Sequence, residues 1–149
     1  MRGKFLVDFD GTAMVEDVGH QILVKFGDEE VIAIDDRWVA GEITTRERAE
    51  AQYARMKITE DELVEFVDGF ALDPFFGEFR RYCRAADIEM EIVSDGFDFY
   101  IKRLLGRAGL GDIPVTCNRL EFVDGKIVLD FPHDGEGDGR LGGAKDVLG

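Results

Sequence analysis

Cysteine, histidine and proline are scarce in this 149-residue chain, at two, two and three residues. Cys83 and Cys117 make neither a disulfide framework nor a zinc set, which points to a reduced, cytoplasmic compartment. His20 and His133 lack metal-ligand spacing, so neither is given a catalytic role. Positive charge is short as well: 18 Lys and Arg stand against 32 Asp and Glu, a formal net charge of −14. Such a chain repels phosphate polymers and anionic bilayers, so neither nucleic acid nor a membrane is expected as a partner. No apolar run approaches the roughly 20 residues that span a bilayer. The N-terminus has no charged-then-apolar leader, and no signal peptide is expected. What remains is 45% hydrophobic and 34% charged residues, the composition of one soluble domain with a core and room for a small insertion.

The apolar pattern alternates between strand and helix. Phe5-Leu6-Val7 reads as a short strand buried on both faces, of the kind used in parallel sheets. Beyond Thr12 the period changes: Val18, Ile22 and Phe26 recur every four residues up to Gly27. Val31, Ile34, Trp38 and Val39 predict a second helix closed by Gly41. Thr44-x-x-Glu47 and Thr59-x-x-Glu62 fit the capping box, so each opens a further helix. Residues 15–70 therefore read as a helical subdomain, and 1–14 with 71–149 as the core. Asp73-Pro74 starts a core helix. Ile88 to Val93 predicts a strand ending at Ser94-Asp95-Gly96, followed by a helix whose stripe is Phe97, Tyr100, Ile101, Leu104 and Leu105. Pro114 to Asn118 predicts a third strand. Asp124-Gly125 between Leu120–Val123 and Lys126–Phe131 predicts a hairpin. This order implies an α/β fold with a parallel sheet and right-handed crossovers.

In such sheets ligands sit at the carboxyl ends of the strands. Both polar clusters, Asp8–Thr12 and Ser94–Gly96, fall there. Asp8 and Asp10 are two apart on an extended chain, which puts both carboxylates on one side and Phe9 on the other. Two acids so placed repel unless a cation sits between them or one keeps a proton. A screened carboxylate can be a nucleophile, and a proton-holding neighbour can be general acid and then base. Gly11 allows the turn away from the strand, and Thr12 offers a hydroxyl and an amide. Ser94-Asp95-Gly96 precedes a helix, whose free amides favour an anion. Lys145 is a candidate positive charge for the same site.

Asp8-Phe9-Asp10-Gly11-Thr12 resembles the first motif of the haloacid dehalogenase (HAD) superfamily, with Ser94 at its second motif and Lys145 at its third. The resemblance is nearest to the phosphoserine phosphatase and methylthiopentenyl-phosphate phosphatase branch. Gly41-Glu42-Ile43-Thr44, Val93-Ser94-Asp95-Gly96-Phe97-Asp98-Phe99-Tyr100 and Phe131-Pro132-His133 carry the second of these likenesses. It implies a HAD-like Rossmannoid parallel sheet with a small helical cap inserted after the first strand. It also implies a Mg²⁺-dependent phosphomonoesterase acting on a small phosphorylated metabolite. Asp8 would attack phosphorus and form an aspartyl-phosphate. Asp10 would protonate the leaving alcohol and then activate water. The Asp8 carboxylate and the Asp10 carbonyl would hold the metal, while Thr12, Ser94, Asp95, Gly96 and Lys145 would hold the phosphate. Asp17 would face the substrate from the cap. Gln52 falls where phosphoserine phosphatases carry an arginine for the substrate carboxylate, which disfavours phosphoserine.

The family's fourth motif, Gly-Asp-Gly-x-x-Asp, belongs well beyond Lys145, and the sequence ends at Gly149. Gly137-Asp138-Gly139 matches it in part, without a preceding apolar run and with Gly142 at the second acid position. The expectation is a chain truncated before that motif. Its Mg²⁺ would lack one carboxylate, and its first strand would be an uncovered edge open to self-association. The alternative function is a catalytically weak HAD-like module that binds phosphate or a protein.

Overall fold

The first apolar run forms β1 (Lys4–Val7), which is an edge of the sheet among the described residues. The computed structural model describes residues 3–133, and Lys145 with Gly137–Gly139 and Gly142 lies outside them. The described strands pair in the order β1-β2-β3-β4, with β2 (Glu89–Phe97), β3 (Val115–Val123) and β4 (Lys126–Asp130). β1, β2 and β3 run parallel, and β4 returns antiparallel to β3 through Asp124-Gly125. Both turn residues have positive φ, 51° and 77°, as a tight hairpin requires. This is an α/β fold.

Six helices complete the described chain. α1 (Val18–Phe26), α2 (Glu29–Val39), α3 (Thr45–Arg55) and α4 (Glu60–Val67) form an insert between β1 and α5 (Pro74–Ala85), and α6 (Asp98–Arg107) links β2 to β3. Thr44 and Thr59 both close reciprocal capping boxes with Glu47 and Glu62. Asp73 caps α5 with Pro74 in its first turn. Phe9, Val18, Ile22, Val31, Val67, Ile92, Ile101 and Leu105 are among the fully buried side chains, so one apolar cluster runs through insert and sheet alike.

Three readings are corrected. β1 is not buried on both faces: Phe5 and Leu6 are 43% and 48% exposed, because β1 pairs on one side only among the described residues. The Phe5 ring instead leans on Phe79 of α5, centroids 5.3 Å apart. β2 does not stop at Ser94 but continues to Phe97. The segments expected at 114–118 and 120–123 are one strand, whose first part pairs with β2 and whose last part pairs with β4.

Candidate functional site

Two chain reversals at the carboxyl ends of β1 and β2 build the floor of one cavity. After Val7 the chain makes a single wide turn, Phe9–Ala13, closed by the Met14 amide on the Phe9 carbonyl at 3.0 Å. Gly11 takes φ 79°, a conformation that a side chain would strain. The Asp8 carboxylate accepts the Phe9 amide at 2.9 Å, and Phe9 itself is fully buried. In β2, three residues separate Val93 from Phe97 while only one separates their partners Thr116 and Asn118, so Ser94–Gly96 bulges out of the ladder. The Asp95 carbonyl freed by the bulge accepts from Asn118 Nδ2 at 3.0 Å. Asp98, at the start of α6, accepts the Leu120 amide at 3.0 Å and ties that helix to β3.

The cavity holds about 310 Å³ and is lined by Asp8, Asp10, Asp17, Gln52 and Ser94–Gly96 together with Trp38, Arg48 and Tyr100. A larger hollow of about 440 Å³ between α5 and α6 contains none of the paired acids. Most of the sequence-predicted residues are therefore brought together. Thr12 is the exception among those described: it is exposed and lies outside the lining.

Asp10 is the most perturbed carboxyl of the site. Its Oδ1 accepts the Val18 amide at 2.8 Å and its Oδ2 accepts the Tyr100 hydroxyl at 2.9 Å. Burial, then the Asp17 charge, push its pKa up to about 6. The two hydrogen bonds pull the other way, and Asp8 adds a smaller upward push. Asp17 caps α1 by accepting the His20 amide at 2.9 Å. The buried Ser94 hydroxyl accepts the Gly96 amide at 2.9 Å, so an incoming anion has to compete for that donor.

Gln52 is 2% exposed. Its amide nitrogen donates to the Val31 carbonyl at 3.0 Å and to Asp35 at 2.9 Å, so both amide hydrogens are spent inside the insert. Four residues earlier on the same helix, Arg48 lines the cavity, with its guanidinium 4.4 Å from the Trp38 ring centroid and Nε 2.7 Å from Asp35. Arg48 is thus a cavity residue that the count from Gly41 to Gln52 does not reach. The i, i+4 relation to Gln52 was the available signal.

Tyr100 is the other residue that sequence reasoning missed. It is 2% exposed and sits on a helical apolar stripe, where a tyrosine reads as core. A methyl group on Gly96 would lie 1.9 Å from the Tyr100 hydroxyl, so glycine there is what lets the ring reach Asp10. Nothing local encodes a partner 90 positions away.

A family model confirms the assignment that these residues suggested. The chain belongs to the haloacid dehalogenase-like hydrolases, whose model matches residues 5–146. It is 30% identical over 128 residues to the 2-hydroxy-3-keto-5-methylthiopentenyl-1-phosphate phosphatase of Brevibacillus brevis, covering 85% of this chain and 58% of that protein. The Bacillus cereus phosphatase of the same name is 30% identical over 132 residues, with the same coverage. This chain thus spans little more than half the length of these curated relatives. Among solved structures, a HAD family hydrolase from Salmonella enterica serovar Typhi aligns with TM-score 0.75 at 21% identity, over 87% of this chain and 45% of that one. A phosphoserine phosphatase from T. onnurineus aligns with TM-score 0.73 at 17% identity, over 92% and 67%. These two likenesses concern the fold alone.

Proposed function

We propose that the protein is a Mg²⁺-dependent phosphomonoesterase that passes the phosphoryl group through Asp8. The observation that carries this reading is the pairing of Asp8 with an acid whose pKa is pushed up to about 6, both facing the Ser94 turn in one cavity. Asp8 attacks phosphorus in line with the leaving oxygen: the Asp8 O–P bond forms as the ester P–O bond breaks. Protonated Asp10 gives its proton to the departing alkoxide. The resulting carboxylate then takes a proton from water as the water oxygen displaces Asp8 from phosphorus. Ser94 and the amides of its turn hold the phosphate oxygens, and Lys145 is a further candidate for that role.

The cavity's charge supports a metal requirement. Among the described residues, Asp8, Asp10, Asp17 and Asp95 line the cavity with a single guanidinium, Arg48, which Asp35 already pairs. A phosphate dianion entering such a site needs a further positive charge. The donors fit magnesium, a hard cation content with one or two carboxylates, waters and substrate phosphate. No group of three or more potential ligand side chains is gathered among the described residues. The Asp8 carboxylate and the Asp10 carbonyl would hold the ion, which would screen phosphate charge during the transfer.

Two further assignments belong to this reading. Residues 15–70 act as a cap that shields the site from water, and the chemistry is cytoplasmic. The substrate is a small phosphorylated metabolite, and a phosphorylated keto-alcohol of the kind named for the relatives suits the cavity. Trp38, Leu23 and Ala49 offer apolar surface, and the Arg48 guanidinium, already matched by Asp35, offers hydrogen bonds more than net charge.

The test is hydrolysis of p-nitrophenyl phosphate. Turnover that needs Mg²⁺, stops with chelator and falls by at least about 10³-fold in Asp8→Asn supports the reading. Phosphate binding without turnover, and without a beryllium-fluoride adduct on Asp8, establishes the binding-module alternative instead.

A further inference from the structure

We propose that Tyr100 is a positioning residue for the proposed acid and base, Asp10: its hydroxyl, from α6, and the Val18 amide, from α1, clamp the two carboxylate oxygens. The inference rests on the phosphatase reading above for its consequence in turnover, and on geometry alone for the clamp.

Three observations meet at the same atom. The Tyr100 hydroxyl lies 2.9 Å from Asp10 Oδ2, while the Val18 amide lies 2.8 Å from Oδ1. With one donor on each oxygen, rotation about the last side-chain bond breaks both hydrogen bonds together. The plane of the carboxyl group is therefore fixed. The space around the hydroxyl is also cleared for it. A Cβ on Gly96 would fall 1.9 Å from the oxygen and one on Gly19 would fall 3.1 Å away, so two glycines flank the phenol where it meets Asp10. Finally, the ring is anchored. Tyr100 is 2% exposed, and its ring centroid lies 6.1 Å from that of Phe9, the residue between the two acids. The phenol cannot move without disturbing the turn that presents Asp8 and Asp10.

The donors differ in kind. A backbone amide can only donate, whereas a phenol can donate or accept. Tyr100 can thus stay bonded to Asp10 whichever oxygen carries the proton, and Val18 cannot. That adaptability suits a group that must give a proton in one half-reaction and take one in the next.

Two variants of the full chain test the clamp. Tyr100→Phe removes the hydroxyl and keeps the ring. Val18→Pro removes the amide at the first helical position, where proline is tolerated, after an Asp17 backbone already extended at φ −88°, ψ 96°. kcat/KM covers the steps up to departure of the leaving group, so a misplaced acid is felt most by poor leaving groups. On glycerol 2-phosphate each variant is expected to lose about 10- to 100-fold. On p-nitrophenyl phosphate, whose leaving group needs no proton, the loss is expected to stay below about threefold. Equal losses on both substrates, or a rise in KM alone, overturn the proposal. A second readout is independent of turnover: in the crystal structure of Tyr100→Phe, the Asp10 carboxyl is expected to turn or split between two orientations. An Asp10 that keeps its single orientation there overturns the clamp. If the unmodified chain shows no turnover at all, the phosphatase reading fails while the crystallographic outcome still decides the clamp.

Discussion

The two walls of the cavity are held by different kinds of interaction. The helices of the insert are opened and braced mainly by short-range bonds, Thr44 with Glu47, Thr59 with Glu62 and Arg46 with Glu50, while Arg48 and Gln52 tie α3 to Asp35 of α2 within the same insert. The sheet wall is built from bonds across the fold: Tyr100 to Asp10, Asn118 to Asp95, and Leu120 to Asp98, separated by 90, 23 and 22 positions. Local bonds can fail one at a time and fray one helix. Distant bonds form only when the whole sheet is in place, so they fail together. A site that needs a fixed acid beside a changeable substrate surface is well served by this division.

The sheet wall is most vulnerable at Phe9. Truncating this fully buried ring to alanine is expected to cost about 3–5 kcal/mol of global stability. Urea denaturation followed by circular dichroism should show one cooperative transition moved to lower denaturant, with insert and sheet signals falling together.

The next largest effect is electrostatic. Asp10 titrates near 6 in the fold against 3.8 for the free side chain, so between these values the native state holds more protons than the unfolded one. Stability then falls as pH rises from about 4 to about 6 and levels off above, by about 3 kcal/mol. Asp10→Asn should remove that slope. The difference between the two proteins' unfolding free energies across pH 4–7 measures it directly.

Gly96→Ala should be milder for the fold and severe for the site. Seating a methyl group 1.9 Å from the Tyr100 hydroxyl forces the ring aside, at about 1–3 kcal/mol by the usual scale of overpacking. Thermal unfolding gives the stability, and phosphate titration gives the damage to the turn. The smallest effect belongs to the insert: Thr44→Ala and Thr59→Ala are each expected to cost about 1 kcal/mol. Amide hydrogen exchange should show faster exchange confined to the first turns of α3 and α4. Faster exchange spread through β2 would mean that insert and sheet are not separable in this way.

The same division explains what could be read from the amino-acid sequence. The helices of the insert carry their own start signals, so Thr44, Thr59, Asp73 and Pro74 were legible. So were the Asp124-Gly125 hairpin and the acids at the end of β1, because an alternating pattern needs only adjacent residues. Tyr100 was not, since its stripe spacing says helix and says nothing of a carboxylate across the sheet. The bond from the Leu120 amide to Asp98, 22 positions away, is invisible for the same reason. The bulge that exposes Ser94–Gly96 depends on how β2 meets β3, so the strand was ended too early. Gln52 marks another limit: it lines the cavity, but its place in the sequence does not say that its amide hydrogens are given to Val31 and Asp35.

The hairpin carries one more consequence. Among the described residues the insert shares the apolar cluster with the sheet, Tyr53 against Phe97 and Val18 on Asp10 included, and beyond that cluster stands on three outlying feet. The first is the junction where Asp73 bonds back to Ala13, and the second is Asp68, gripped by Arg103 and Arg107. The third is Phe131 just past β4, beneath the Arg46 guanidinium. A body standing on three feet does not rock unless one foot lifts. The weakest of these is the arginine resting on an aromatic face, worth about 0.5–1 kcal/mol at an exposed position. Tilting of the helices should therefore begin at that foot, which makes Phe131 the place to attach a reporter of breathing.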